Sequence, residues 1–155
     1  MPEEETIAKA KIKYKGSFDL GDAYDVLHDL FVTMGFTVEE SKYKETVKGD
    51  KKDLQITWDC EKNVDDYTKF IISVNFFILG FSKQGADAEI NFKCKLRTDY
   101  EGRWDANPFL KFMKGVFQKY LYRGTYAEWK TQVRDEMYQI KTELESYLRV
   151  EKIVQ

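Results

Sequence analysis

The segment from Ala88 to Arg97 does most to decide the fold class. Ala88, Ile90, Phe92, Cys94 and Leu96 alternate there with Glu89, Asn91, Lys93, Lys95 and Arg97. A period of two is a strand with one buried face and one wet face. The same period runs through Leu54, Ile56, Trp58 and Cys60, which alternate with Gln55, Thr57 and Asp59. It recurs in Ala8, Ala10, Ile12 and Tyr14, which alternate with Lys9, Lys11, Lys13 and Lys15. Phe36 to Val47 is rich in Thr, Val and Tyr and reads as another strand. Tyr67 to Ser82 is apolar on both faces in its second half and reads as a central one. Turn residues separate these runs at Gly49–Lys52, Asn63–Asp66 and Gln84–Asp87.

Helical periods fill the rest. Asp19 is a good N-cap, and Ala23, Val26, Leu27, Leu30, Phe31 and Met34 follow on one face, with Gly35 placed to stop the helix. This predicts a helix over about Leu20 to Met34. Asn107-Pro108 is a cap followed by proline at the first helical position, and Phe109, Phe112, Met113, Val116, Phe117 and Tyr120 form an apolar stripe. Gly124 interrupts it. Thr125 with Glu128 reads as a capping box for a last helix that carries Tyr126, Trp129, Val133, Met137, Ile140, Leu144 and Leu148 and runs to about Arg149. Met1 to Thr6 is acidic and is expected to fray.

The order is β-α-β-β-β-β-α-α, an α+β fold. Strands with short turns form an antiparallel meander, and the first strand must join it to cover its buried face. The expected product is a curved antiparallel sheet of about five strands with the helices packed on one face, helix-grip or TBP-like. At 155 residues the chain suits a single domain, and such a chain buries roughly 70% of its unfolded surface.

This order resembles the helix-grip, or START-like, arrangement, in which a sheet wraps around a long C-terminal helix. Members of that fold commonly hold an apolar ligand between sheet and helix, so the resemblance implies a cavity there. The chain departs from the fuller members in having fewer strands and one helix after the first strand. Locally, Lys11-Ile12-Lys13-Tyr14-Lys15-Gly16, Met34-Gly35-Phe36 and Tyr43-Lys44-Glu45 resemble a family of small archaeal proteins of unknown function. That resemblance spans about the first half of the chain and implies no activity.

Most chemistries find little support. His28 is the single histidine and lies off the apolar stripe of its helix, which suits a rim residue. Cys60 and Cys94 fall on inward strand positions and read as small buried residues. They belong to strands separated by the central one, too far apart for a disulfide. The carboxylate pairs Asp19/Asp22, Asp65/Asp66 and Glu39/Glu40 sit at a helix start, in a turn, and on opposite faces of a strand; none converges. There is no glycine-rich phosphate loop. No catalytic residue, metal ligand or cofactor is therefore expected.

Net charge is −2, which argues against nucleic acid as a partner. The lysine row Lys9, Lys11, Lys13 and Lys15 would join Lys93, Lys95 and Arg97 if the first strand pairs with the last. No stacking aromatics interleave on that face, so it reads as a solvated one. The helix from Phe109 to Leu121, with Lys111, Lys114 and Lys119 opposite its stripe, reads as a core helix rather than a membrane-surface one. The longest apolar run, Phe70 to Phe81, is too short for a transmembrane helix, and the N-terminus shows no signal peptide; the default compartment is the cytoplasm.

Two binding functions follow from the aromatic content of 15%. In the first, a non-catalytic domain holds a small apolar ligand between sheet and C-terminal helices, with Trp58, Phe70, Ile72, Phe92, Trp104, Phe112 and Trp129 as its wall. In the second, the chain is a protein-interaction module or homodimer that uses Ile71, Phe77, Leu79 and Phe81. These apolar residues fall on the outer face of the central strand unless a bulge near Gly80 shifts the register. An enzyme with an unrecognised site is the third alternative.

Overall fold

The structure, a computed structural model, describes residues 3–16, 19–65, 67–82, 85–98, 107–116 and 123–154. In chain order the elements are β1 (Glu3–Gly16), α1 (Leu20–Thr33), β2 (Thr37–Lys48), β3 (Lys51–Asn63), β4 (Thr68–Ser82), β5 (Gly85–Thr98), α2 (Pro108–Val116) and α3 (Arg123–Val154). The strands form one open antiparallel sheet in the order β1-β5-β4-β3-β2. Consecutive strands pair through short turns, and β1 pairs with β5, as the need to cover its apolar face requires.

Period two separates the faces cleanly. The inner face is built from Leu54, Ile56, Trp58 and Cys60 of β3, from Phe70, Ile72, Val74, Phe76 and Ile78 of β4, and from Ala88, Ile90, Phe92, Cys94 and Leu96 of β5, all buried. Onto this face α3 lays Val133, Met137, Ile140, Leu144 and Leu148, and α1 lays Ala23, Leu27 and Phe31. α3 packs on β1 and β5, while α1 packs beside α3 and reaches β2. Each buried Leu, Ile, Val, Phe or Met contributes roughly 1.5–3 kcal/mol. Asp19 caps α1 by accepting from the Asp22 N–H at 2.9 Å. Cys60 and Cys94 are free, buried thiols held apart by Ile72, which stands opposite both.

Four expectations are corrected. The acidic N-terminus is strand from Glu3 onward. Glu4 lies 2.9 Å from Arg97 and 3.2 Å from Lys95, and Glu5 accepts a hydrogen bond from Tyr126, so ion pairing holds it to β5 and α3. Thr125 is not a cap: it and Gly124 already lie within the helix α3.

α2 keeps its predicted cap, with the Leu110 N–H donating to Asn107 Oδ1 at 2.9 Å, but the first part of its stripe does not join the core; Phe117 and Tyr120 lie outside the described residues. Phe109, Phe112 and Met113 are exposed and Lys114 is buried. A five-stranded sheet is about 24 Å wide, and helices pack about 10 Å apart, so α1 and α3 already fill the inner face. Finally, Phe81 does not share a face with Leu79. Lys52 stands opposite Phe81 and Leu54 opposite Ile78, so β4 carries one extra residue at Gly80, and Phe81 packs against the inner core.

Candidate functional site: the two faces of the sheet

Trp58 is the centre of the inner face. Its ring meets Tyr24 at 4.6 Å, Phe76 at 5.1 Å, His28 at 6.2 Å and Phe31 at 6.5 Å between centroids, all edge to face. Its indole nitrogen is buried without an acceptor among the described residues. The Tyr24 hydroxyl donates to Glu40 Oε1 at 3.2 Å. Burial pushes the Tyr24 phenol above its ordinary pKa, and the negative charge of Glu40 pushes it further. Burial likewise raises both thiols, so neither is a ready thiolate nucleophile.

At the other end of the same face the Phe70 ring meets Trp129 at 5.6 Å, and the Trp129 indole N–H donates to Asp65 Oδ2 at 3.2 Å. The Oδ1 atom of Asp65 accepts from the Tyr67 N–H at 2.7 Å, so one turn carboxylate orders the β3–β4 hairpin and anchors α3. Between these clusters lies Lys62. Its ammonium donates to Met34 O at 3.0 Å and Glu136 Oε1 at 2.7 Å, and it sits over the rings of Phe36 and Phe70. Sequence reasoning missed this pair, although Lys62 falls in the inward phase of β3, two residues beyond Cys60, where a lysine is out of pattern.

Of the residues expected to wall a ligand cavity, the structure brings Trp58, Phe70, Ile72 and Phe92 together in close-packed core, with Trp129 half-buried at its margin. Phe112 is 68% exposed on α2, apart from them. Trp104 lies outside the described residues. A crevice does remain between α1, α3 and the sheet, lined by Leu20, Ala23, Tyr24, Ile78 and Leu144 among others. Its volume is about 20 Å³, room for one water. A wider depression of about 550 Å³ lies open along α3 beside Glu128, Thr131, Asp135 and Gln139.

Neither α1 nor α3 lies on the outer face. There Thr57 Oγ1 lies 2.8 Å from Asn75 Oδ1, Ser73 donates to Asp59 at 3.3 Å, and Lys11 pairs with Glu89 at 3.0 Å. Glu4 ties Lys95 and Arg97 together; burial raises its carboxyl, but the hydrogen bonds and charges of those two side chains outweigh that and leave it below the ordinary carboxylate range. Ile71, Phe77 and Leu79 all belong to this face. Ile71 is buried by its neighbours, Phe77 is half-buried and Leu79 is 56% exposed. Among the described residues no three or more His, Cys, Asp or Glu side chains gather to hold a metal ion. No described helix is long and apolar enough to cross a membrane.

No protein-family model matches the sequence, and none of the curated proteins compared with it matches.

Proposed function

We propose that this chain is a binding module that works through the outer face of its sheet, the face opposite α1 and α3. The observation that carries the reading is the pair Phe77 and Leu79, two residues apart on the central strand and turned away from the core. Large apolar side chains on a wet sheet face cost solubility unless a partner covers them. The inner face, by contrast, is packed: Trp58 alone engages four rings there.

Lysine acylation tests this. Lys9, Lys13, Lys42, Lys44 and Lys93 lie on the outer face, whereas Lys130 and Lys141 lie on α3. In a fresh extract the first group should be protected relative to dilute purified protein and the second should not. Protection confined to Lys130 and Lys141, or no protection at all, overturns the proposal.

The apolar-ligand reading has one observation in its favour, the crevice between α1 and α3. A drug-sized ligand needs roughly 300 Å³ or more, so binding requires the two helices to part. Native mass spectrometry of freshly purified protein tests it: a retained small molecule supports the reading, and bare protein with no stabilisation by fatty or aromatic probes removes it.

A further inference from the structure

One row of residues crosses all five strands on the outer face. The register places Lys9 opposite Lys93, Lys93 opposite Ser73, Ser73 opposite Asp59, and Asp59 opposite Glu39. From β1 to β2 the charges therefore read plus, plus, neutral, minus, minus. Like charges directly opposite one another across strands are destabilising. Here two such pairs stand in one row, and none of the four charged side chains forms an ion pair with a described residue, although Lys11–Glu89 and Glu4–Arg97 do so nearby. Within the row the Ser73 hydroxyl donates to Asp59 at 3.3 Å, but no described side chain of opposite charge pairs with any of the four.

Its charge pattern is antisymmetric about Ser73, on the central strand. We propose that the occupant of the outer face is a second copy of this chain, docked sheet to sheet about a two-fold axis parallel to β4. This rests on the outer-face reading above and names its partner. Rotation about that axis carries the β1/β5 side of one copy over the β3/β2 side of the other. Lys93 then faces Asp59 of the second copy, Lys9 faces its Glu39, and each contact occurs twice, as an isologous interface requires. An axis perpendicular to the strands would place lysine over lysine, a juxtaposition that repels. The chosen axis also brings Phe77 and Leu79 of both copies together along the centre line. The next two rows end in Lys11 and Lys42 and in Lys13 and Lys44, which would oppose each other; Lys11 is paired within its own copy with Glu89, which also stands opposite Lys13. The face measures about 24 by 40 Å, or roughly 900 Å², close to the ~800 Å² per partner of a stable interface. The product is a four-layer assembly with helices outside and two aligned sheets about 10 Å apart.

Sedimentation velocity on the full chain tests this. The wild type should dimerise at low salt and dissociate as salt rises. Lys93→Glu and Asp59→Lys should each weaken self-association about a hundredfold or more, because two symmetry-related contacts become repulsive at once. An equimolar mixture of the two variants should form a 1:1 heterodimer, because every reversed charge then meets its opposite. Glu39→Lys, on the exposed edge strand, is a second variant that leaves the centre of the sheet untouched, and it should also weaken the dimer; circular dichroism checks that each variant folds. A wild type that stays monomeric overturns the second copy, and so does a dimer indifferent to these reversals. So does an outer face that binds only a polyanion such as heparin. A monomer whose outer-face lysines are nonetheless protected in extract removes the second copy and leaves the docking face standing; loss of both results removes both.

Discussion

The Asp53 carboxylate accepts a hydrogen bond from the Gly80 backbone N–H at 3.0 Å, across the β3–β4 pair. That contact holds the bulge which turns Phe81 inward and leaves Leu79 outward. Gly80 has φ +65°, in the left-handed region that residues with a Cβ avoid. A Cβ there would approach only Lys51, at 3.9 Å, so the cost of substitution is conformational rather than steric. Gly80→Ala should lose about 1–2 kcal/mol in urea unfolding, and Gly80→Asn, which tolerates this region better, should lose less. Equal losses would mean that the bulge relaxes away.

Asp53 makes the same contact sensitive to acid. The Gly80 N–H, and then Lys48 at 2.9 Å, hold its carboxyl below the ordinary range. A carboxylate with a depressed folded pKa contributes stability that is present above its unfolded pKa, about 4, and is lost as pH falls through the folded value. Asp53→Asn should therefore be less stable than wild type at neutral pH, and the gap in urea midpoints should narrow as the solution is acidified below about pH 4. A gap constant with pH would show that the charge of Asp53 plays no part.

How far the sequence reveals this arrangement depends on the range of the physics. Alternation and stripe periodicity report local burial, so they point Phe92, Trp58 and Val133 inward, where the structure has them, and bound α1 to within one residue of its end. The bulge at Gly80 was legible only as an anomaly, because apolar side chains on both faces of β4 fit either a partner or a shifted register. The fate of α2 was not legible at all. Its stripe of Phe109, Phe112 and Met113 looks like any core stripe, and what excludes it is the space already taken by α1 and α3. Of the row from Lys9 to Glu39 only the basic end, Lys9 beside Lys93, is legible in the sequence; its alignment with Asp59 and Glu39 comes from further pairings that only the register fixes.

Lys62 and Glu136 join β3 to α3 at 2.7 Å, with side chains only 17% and 16% exposed. Removing one partner of a largely buried pair strands the other charge, and Glu136 Oε2 already lacks a partner among the described residues. Lys62→Met should cost about 2–3 kcal/mol. Combining it with Glu136→Leu should restore most of the loss, since the surroundings, Phe36 and Phe70, are apolar. Additive losses in the double-mutant cycle would show that the two side chains act independently.

The contrast between α2 and α3 gives the sharpest test of which helical stripe is core. Trp129 packs its ring on Phe70 and donates its indole N–H to Asp65, so its loss removes apolar contact and frees the carboxylate that orders the β3–β4 turn. Trp129→Ala should cost roughly 3 kcal/mol, a large part of the about 5–15 kcal/mol that holds a domain of this size together. Phe112 is the same kind of residue on the same kind of stripe, yet it is 68% exposed. Phe112→Ser should change stability by less than about 0.5 kcal/mol. Thermal melts of the two variants beside wild type decide the matter. Severe destabilisation by Phe112→Ser would mean that α2 docks on the body of the protein after all, and an indifferent Trp129→Ala would mean that the N-terminal turns of α3 are not anchored to the sheet.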